Sequence, residues 1–231
     1  MPGLNSEECA LQAQYLLPQV LHETSLDGLQ TSFMLGLYHL FLGRLQKGAV
    51  FHSLAARMMF TLGANTVVVS PLAAHEEADV SWRTKHQLRK LFWMIYCTDK
   101  EISLRTGQPP SINDDDCDLT PIPGYLDMKY TDNRSELDVS LLDDTAPPLL
   151  PGDVRLDMIK AKTYTLLYSI RALRKTAAEL LRDIRQLDDE LEAWRLSLPL
   201  NFRPSLSLRE VPLEPSLSEL RKMERIMVHF Q

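Results

Sequence analysis

Asp99 is the residue whose setting most needs a chemical explanation. It falls between Ile95 and Ile102 on the apolar stripe of a helical stretch, so its carboxylate is expected inside the protein. A buried carboxylate without partners is costly. Arg57 and Arg105 are the candidate companions, and Trp93 and Tyr96 lie on the same stretch. Two chemistries fit this set. One is a structural salt bridge or cap, which the pattern favours. The other is a contact to a bound effector, held by charge and by the two rings.

Other groupings carry less. His75-Glu76-Glu77-Ala78-Asp79 begins like the zinc-protease helix, but the second histidine would have to stand at Asp79, so a solvated acidic turn is expected. Asn113-Asp114-Asp115-Asp116-Cys117-Asp118 is rich in oxygen ligands. A calcium loop counted from Asn113 would need Gly at its sixth position and Glu at its twelfth; those positions hold Asp118 and Gly124. Its aspartates, Asp114 and Asp116 among them, are therefore read as capping and pairing groups on a tight turn. The six histidines contain no i, i+4 pair, and no nucleophile motif occurs. Cys9, Cys97 and Cys117 form no C-x-x-C pair, which fits a reducing compartment. No catalytic residue, metal ligand or cofactor is expected, so the chain is read as not an enzyme.

Bulk properties narrow the class further. The 231 residues carry a formal net charge of −6, against a nucleic-acid reader built from this chain alone. Arg83, Lys85, Arg89 and Lys90, and then Arg171, Arg174 and Lys175, are expected on solvated helix faces. No apolar run is long enough to suggest a membrane span. Glu7 and Glu8 stand where a secretory signal would carry basic residues.

The elements that must position these residues are helices. Ser6 is the expected N-cap of the first, which Pro18 should kink or shorten. A second is expected from Ser25 or Asp27 to Lys47, stopped by Gly48, and a third from Val50 to Leu62, stopped by Gly63. Residues 65–81 read as a loop, including the strand-like Thr66–Val69. A fourth helix runs from Trp82 to Thr106 and ends at Gly107, ahead of Pro109-Pro110. Its apolar girth implies burial on more than one side. Residues 108–152 hold half of the fourteen prolines and read as an irregular loop. Asp153 caps a fifth helix to Leu173, a sixth runs from Lys175 to Leu198, and Ser216 or Ser218 opens a last one whose stripe is Leu220, Met223, Ile226, Met227 and Phe230. That stripe reaches Gln231 without a stop signal, as in a chain cut within a longer domain. The fold class is all-α: antiparallel helix pairs stacked in an irregular bundle or solenoid-like array, with a long Pro/Asp-rich loop. One domain is expected over 1–231, with a motif-bearing core at 25–123, the loop at 108–152 and a helical part at 153–231.

Two segments resemble the fungal transcription-factor regulatory domain, or middle homology region, of zinc-cluster regulators. The first spans Ser25 to Asn65, where Arg57, Leu62 and Gly63 match and Ala64 and Asn65 replace a Leu and a His. The second spans Leu88 to Ile112. Phe92, Trp93, Tyr96, Asp99, Gly107, Pro109 and Ile112 fit, as does the acidic turn at Asp114 and Asp116. Lys100 and Gln108 each replace an arginine. The resemblance implies a regulatory region that restrains or licenses activation. It implies residence in the nucleus and a separate DNA reader, absent here, that would carry the zinc. Expected partners are other parts of the parent transcription factor, a second copy, a small-molecule effector or a co-regulator protein, with DNA reached only through the absent module. Two alternatives stay open: a small-molecule receptor and a stand-alone helical interaction scaffold.

Overall fold

A computed structural model describes residues 5–66, 80–120, 130 and 153–204. The loop expected at 65–81 and the last helix expected from 216 fall largely or wholly outside these residues, as do the His75 motif and most of 121–152. The described elements are α1 (Ser6–Val20), α2 (Leu26–Phe41), α3 (Leu45–Thr61), α4 (Val80–Thr106), α5 (Val154–Thr163) and α6 (Ala177–Ser197), with short 3-10 turns at Asp114–Asp116, Ala172–Arg174 and Leu200–Phe202. No strand occurs among the described residues. The all-α expectation therefore holds.

Packing is serial. α1 lies on α2, α2 on α3, α3 on α4, α4 on α5 and α5 on α6. The main core gathers Leu29 and Phe33 from α2, Ala55, Ala56, Met58 and Met59 from α3, and Leu91, Phe92, Trp93, Ile95 and Tyr96 from α4. The girth of α4 is apolar because it is covered from both sides, by α3 and by α5.

Local chemistry sets most boundaries. Asn5, one residue before the expected cap, accepts from Glu7 N and opens α1. Pro18 stands in the last turn, and α1 ends two residues later. Ser25 Oγ accepts from Gly28 N at 3.2 Å to cap α2. Thr176 and Glu179 form a reciprocal capping box at the start of α6. Gly63 and Gly107 both take φ near +70°, the conformation that ends α3 and α4.

Two boundaries differ from the sequence reading. The turn between α2 and α3 lies at Gly43, φ +70°, and Gly48 is inside α3 rather than after α2. Gly48 serves a different need: it faces Gly36 across the α2–α3 crossing. A Cβ on Gly36 would lie 3.3 Å from His52 N and 3.5 Å from Gly48 O. A Cβ on Gly48 would lie 2.7 Å from Leu40 side-chain carbons. The two glycines let the backbones approach, and glycine's strength as a helix-stop signal concealed that use. The other difference is α5, which ends at Thr163, not Leu173. Thr163 and Thr165 turn their hydroxyls onto the Ile159 and Ala161 carbonyls, and the chain passes into a π-helical turn at Tyr164–Tyr168. Lys175 Nζ donates to the Leu166 carbonyl at 2.8 Å, holding that wider turn.

Gly36→Val should lower stability by about 1–3 kcal/mol through overpacking against the α3 backbone. Urea denaturation measures it. A change within about 0.5 kcal/mol would show that the crossing tolerates a side chain there.

Candidate functional site

The loop after α4 returns across the helix that precedes it. Gly107 reverses the chain, and the Ser103 hydroxyl donates to the Gln108 carbonyl at 2.8 Å. Residues 111 and 112 thereby come to lie over Asp99, one to two turns back along α4.

Asp99 is 2% exposed and both its oxygens are occupied. Oδ1 accepts from Ser111 N at 2.9 Å and stands 3.3 Å from His52 Nε2. Oδ2 accepts from Ile112 N at 3.1 Å and stands 3.5 Å from Lys100 Nζ. The imidazole is within ion-pair distance but poorly aligned for a hydrogen bond, so that contact is better described as electrostatic. Burial pushes the Asp99 carboxyl upward. The His52 contact, the Lys100 charge and the Ser111 amide outweigh it, and the group lies below the usual carboxylate range.

Lys100 is as buried as Asp99 and occupies the other half of the node. Its Nζ donates to the Ile112 carbonyl at 2.6 Å and pairs with Asp114 Oδ1 at 3.0 Å. It also lies 4.6 Å from the centroid of the Tyr96 ring. The Tyr96 hydroxyl donates to Asp114 Oδ2 at 3.1 Å, while burial and the nearby carboxylate raise its pKa. One ammonium thus meets a carbonyl, two carboxylates and a ring face. An ammonium is a point charge with three donors, and these directions suit it without a planar fork.

The far end of the loop is held by Arg89. Its guanidinium donates to the Asp118 carbonyl at 2.7 Å and the Thr120 carbonyl at 3.1 Å, above the Phe92 and Trp93 rings. Asn65, at the end of α3, donates to the Asp116 carbonyl at 2.7 Å, and its own carbonyl accepts from Asp118 N at 2.9 Å. Asn113 caps the 3-10 turn of the acidic run. Cys117 lies against this segment, and burial pushes its thiol up to about 11.

A second carboxylate plays a like part at α5. Asp153 caps that helix, accepts from Trp194 Nε1 of α6 at 3.0 Å, pairs with Arg155, and accepts from the Tyr130 hydroxyl. Lys160, paired within the same helix to Asp157, ties it to α4 through Glu101. Burial raises the Asp157 carboxyl, the opposite of Asp99.

Of the residues singled out from sequence, Trp93, Tyr96 and Asp99 meet in the core, and Asp114 joins them through Lys100. Asp116 is exposed and contributes its backbone carbonyl. Arg57 is exposed on α3, and Arg105 pairs with Glu101 at 2.6 Å. Neither is a companion of Asp99; His52 and Lys100 fill that place. Arg89 corrects a further expectation. It is 3% exposed rather than on a solvated face, because loop carbonyls and two rings replace its water. His52 was legible in principle, since it shares a face with Ala55, Ala56 and Met59. Lys100 sits at i+4 from Tyr96 on the same buried side as Asp99.

The arrangement is a hub of charge-assisted hydrogen bonds that fixes backbone. The oxygens of Asp99 are already occupied from within. Among the described residues, no group of three His, Cys, Asp or Glu is placed to hold a metal ion, and no helix is long and apolar enough to cross a membrane.

The comparisons agree with this architecture in extent. The model of the fungal specific transcription factor domain matches residues 5–198. An ABC-transporter-regulating transcription factor of Aspergillus fumigatus is 34% identical over 128 residues, 53% of this chain and 13% of that protein. A transcriptional regulatory protein of Schizosaccharomyces pombe, itself uncharacterised, is 26% identical over 190 residues, 81% of this chain and 21% of its own length. A negative regulator of pleiotropic drug resistance of Candida glabrata is 25% identical over 169 residues, 73% of this chain and 15% of that protein. The chain therefore spans about a fifth or less of these relatives. No solved structure matches.

Asp99→Asn should cost about 3–5 kcal/mol at neutral pH, because it leaves Lys100 buried against fewer charges. Urea denaturation and limited proteolysis within 107–120 report it. Asp99 has a depressed native pKa, so its contribution is present above the unfolded carboxylate value of about 3.9 and fades as pH falls through the lower native one. Asp157→Asn, which removes a carboxylate with a raised native pKa, should cost less. Equal costs for the two would contradict the assignment of Asp99 as the hub.

Proposed function

The chain belongs to the fungal specific transcription factor domain family, and from that premise we propose that it is the regulatory middle region of a longer zinc-cluster transcription factor acting in the nucleus. The observation that carries this reading is the family match across residues 5–198, which includes every described helix and the whole Asp99 hub. In this reading the DNA reader and its zinc lie elsewhere in the parent, and this region controls activation through contacts with other parts of that protein or with a co-regulator.

The hub supports a role in presenting a surface. A 14-residue segment, 107–120, is held in one shape by backbone contacts to Asp99, Lys100, Arg89 and Asn65. Asp115 and Asp116 are exposed on it, beside the uncharged and equally exposed Gln108, Ser111, Asn113 and Thr120. A rigid acidic surface is suited to basic partners, and rigidity lowers the ordering cost of binding. Relatives named for regulating ABC transporters and for negatively regulating pleiotropic drug resistance make ABC-transporter and drug-resistance genes the proposed targets.

The test places residues 1–231 between a heterologous DNA-binding module and a strong activation segment in a fungal host. The region should lower reporter output several-fold, and Asp99→Asn should restore it at equal protein abundance and equal promoter occupancy. Output unaffected by the region would contradict a regulatory role.

A further inference from the structure

The connector between α5 and α6 has a charge balance opposite to that of the chain. Residues 158–178 hold Lys160, Lys162, Arg171, Arg174 and Lys175 and no acidic residue, in a protein whose formal net charge is −6. Neighbouring carboxylates neutralise the three lysines: Glu101 and Asp157 at Lys160, Glu190 at Lys162 and Asp183 at Lys175. Arg171 and Arg174 are exposed and have no ion-pair partner among the described residues. The surplus charge of the connector is thus carried by two guanidiniums three residues apart.

The same turn holds its large apolar side chains outward. Tyr168, Ile170 and Leu173 are 57%, 70% and 73% exposed. A single exposed leucine is ordinary. Three large apolar side chains within 168–173, interleaved with the two unpaired arginines, form a patch. Its backbone is fixed. Ser169 Oγ accepts from Ala172 N at 3.2 Å and donates to the Thr165 carbonyl at 2.7 Å, and Leu173 N donates to the Ser169 carbonyl at 3.2 Å. Lys175 ties the turn to the Leu166 carbonyl and to Asp183 of α6. Ala172 is buried at the start of the 3-10 turn. With three residues per turn, burying that small side chain swings Arg171 and Leu173 to either side of it. The wide π-helical turn at Tyr164–Tyr168 leads directly into this knuckle, and such turns are frequent at functional sites.

The composition of the patch selects a class of ligand. Guanidinium forks pair with carboxylates or phosphates, so the partner is anionic. Ile170 and Leu173 decide between the anions. They gain from being covered by carbon, which a phosphate backbone does not offer, and two arginines are few against a polyanion whose affinity grows with the phosphates neutralised. A bilayer surface suits a continuous amphipathic helix, whereas here the helix is broken at Ser169, ψ 158°. A peptide that sets carboxylates beside apolar side chains matches both halves of the patch.

We propose that the Tyr168–Arg174 knuckle is a docking surface for an acidic amphipathic segment of a partner protein. Arg171 and Arg174 hold its carboxylates, and Tyr168, Ile170 and Leu173 seat its apolar side chains. This surface is opposite in charge to the acidic loop at 107–120, so the two recognise different partners.

Fluorescence anisotropy with residues 1–231 tests this, using a labelled peptide that alternates pairs of aspartates with leucine and phenylalanine. Arg171→Glu with Arg174→Glu should weaken binding at least tenfold, and Ile170→Ser with Leu173→Ser several-fold. All four side chains are exposed, so the urea midpoint should not move. Arg57→Glu, at an exposed arginine on α3, should leave affinity unchanged. A peptide with the same aspartates but serine in place of leucine and phenylalanine should bind at least tenfold more weakly. No binding of the first peptide, equal binding of the two, or indifference to the knuckle substitutions would overturn the proposal. So would tighter binding of a single-stranded DNA oligonucleotide or of phosphatidylserine vesicles through the same arginines. A dimer that Leu173→Ser dissociates in light scattering would also overturn it, since the patch would then belong to a second copy.

Discussion

Burying the Asp99 carboxylate obliges its surroundings to replace the water it has lost. The Ser111 and Ile112 amides, the His52 imidazole and the Lys100 ammonium together do so. Each substitute imposes a further condition. Two amides can reach Asp99 only if the chain reverses at Gly107. Lys100, buried with Asp99, in turn needs the Ile112 carbonyl and Asp114. His52 must be carried in by α3, which can approach α2 closely because Gly36 and Gly48 lack side chains. The shape of residues 107–120 and the packing of α3 on α4 follow from one charge.

Much of this was legible in the residue pattern and some was not. Helical periodicity and glycine stops located α4 to within two residues, because a buried helix shows its stripe and Gly107 has a conformational reason to be glycine. The position of Asp99 on that stripe announced that partners were needed. Their identity was not visible. Arg57 and Arg105 were the arginines at hand, yet both remain at the surface, since a long cation reaches water more cheaply than it enters a core. The true partners were an imidazole from another helix and backbone amides, which carry no sequence signature. Gly48 misled for a related reason: glycine at a turn and glycine at a close helix crossing look alike in a sequence.

The remaining buried carboxylates extend the same logic along the array. Asp153 joins α5 to α6 through Trp194, and Lys160, paired within α5 to Asp157, joins α5 to α4 through Glu101. α4, α5 and α6 are thus keyed to one another by polar contacts set within apolar seams. Such keys add little net stability over apolar packing, but they specify which neighbour a helix meets. In a serial array with few contacts between distant helices, that specificity keeps the exposed acidic loop in a fixed position.

Native-state hydrogen exchange of the Ser111 and Ile112 amides tests the hub most directly. Bonded to a buried, ionised Asp99, both should exchange only through the opening that releases the α4 core, with protection matching that of Ile95 and Tyr96. Exchange at the rates of an ordinary exposed loop, with the α4 amides still protected, would show that Asp99 does not hold the loop and would contradict the account.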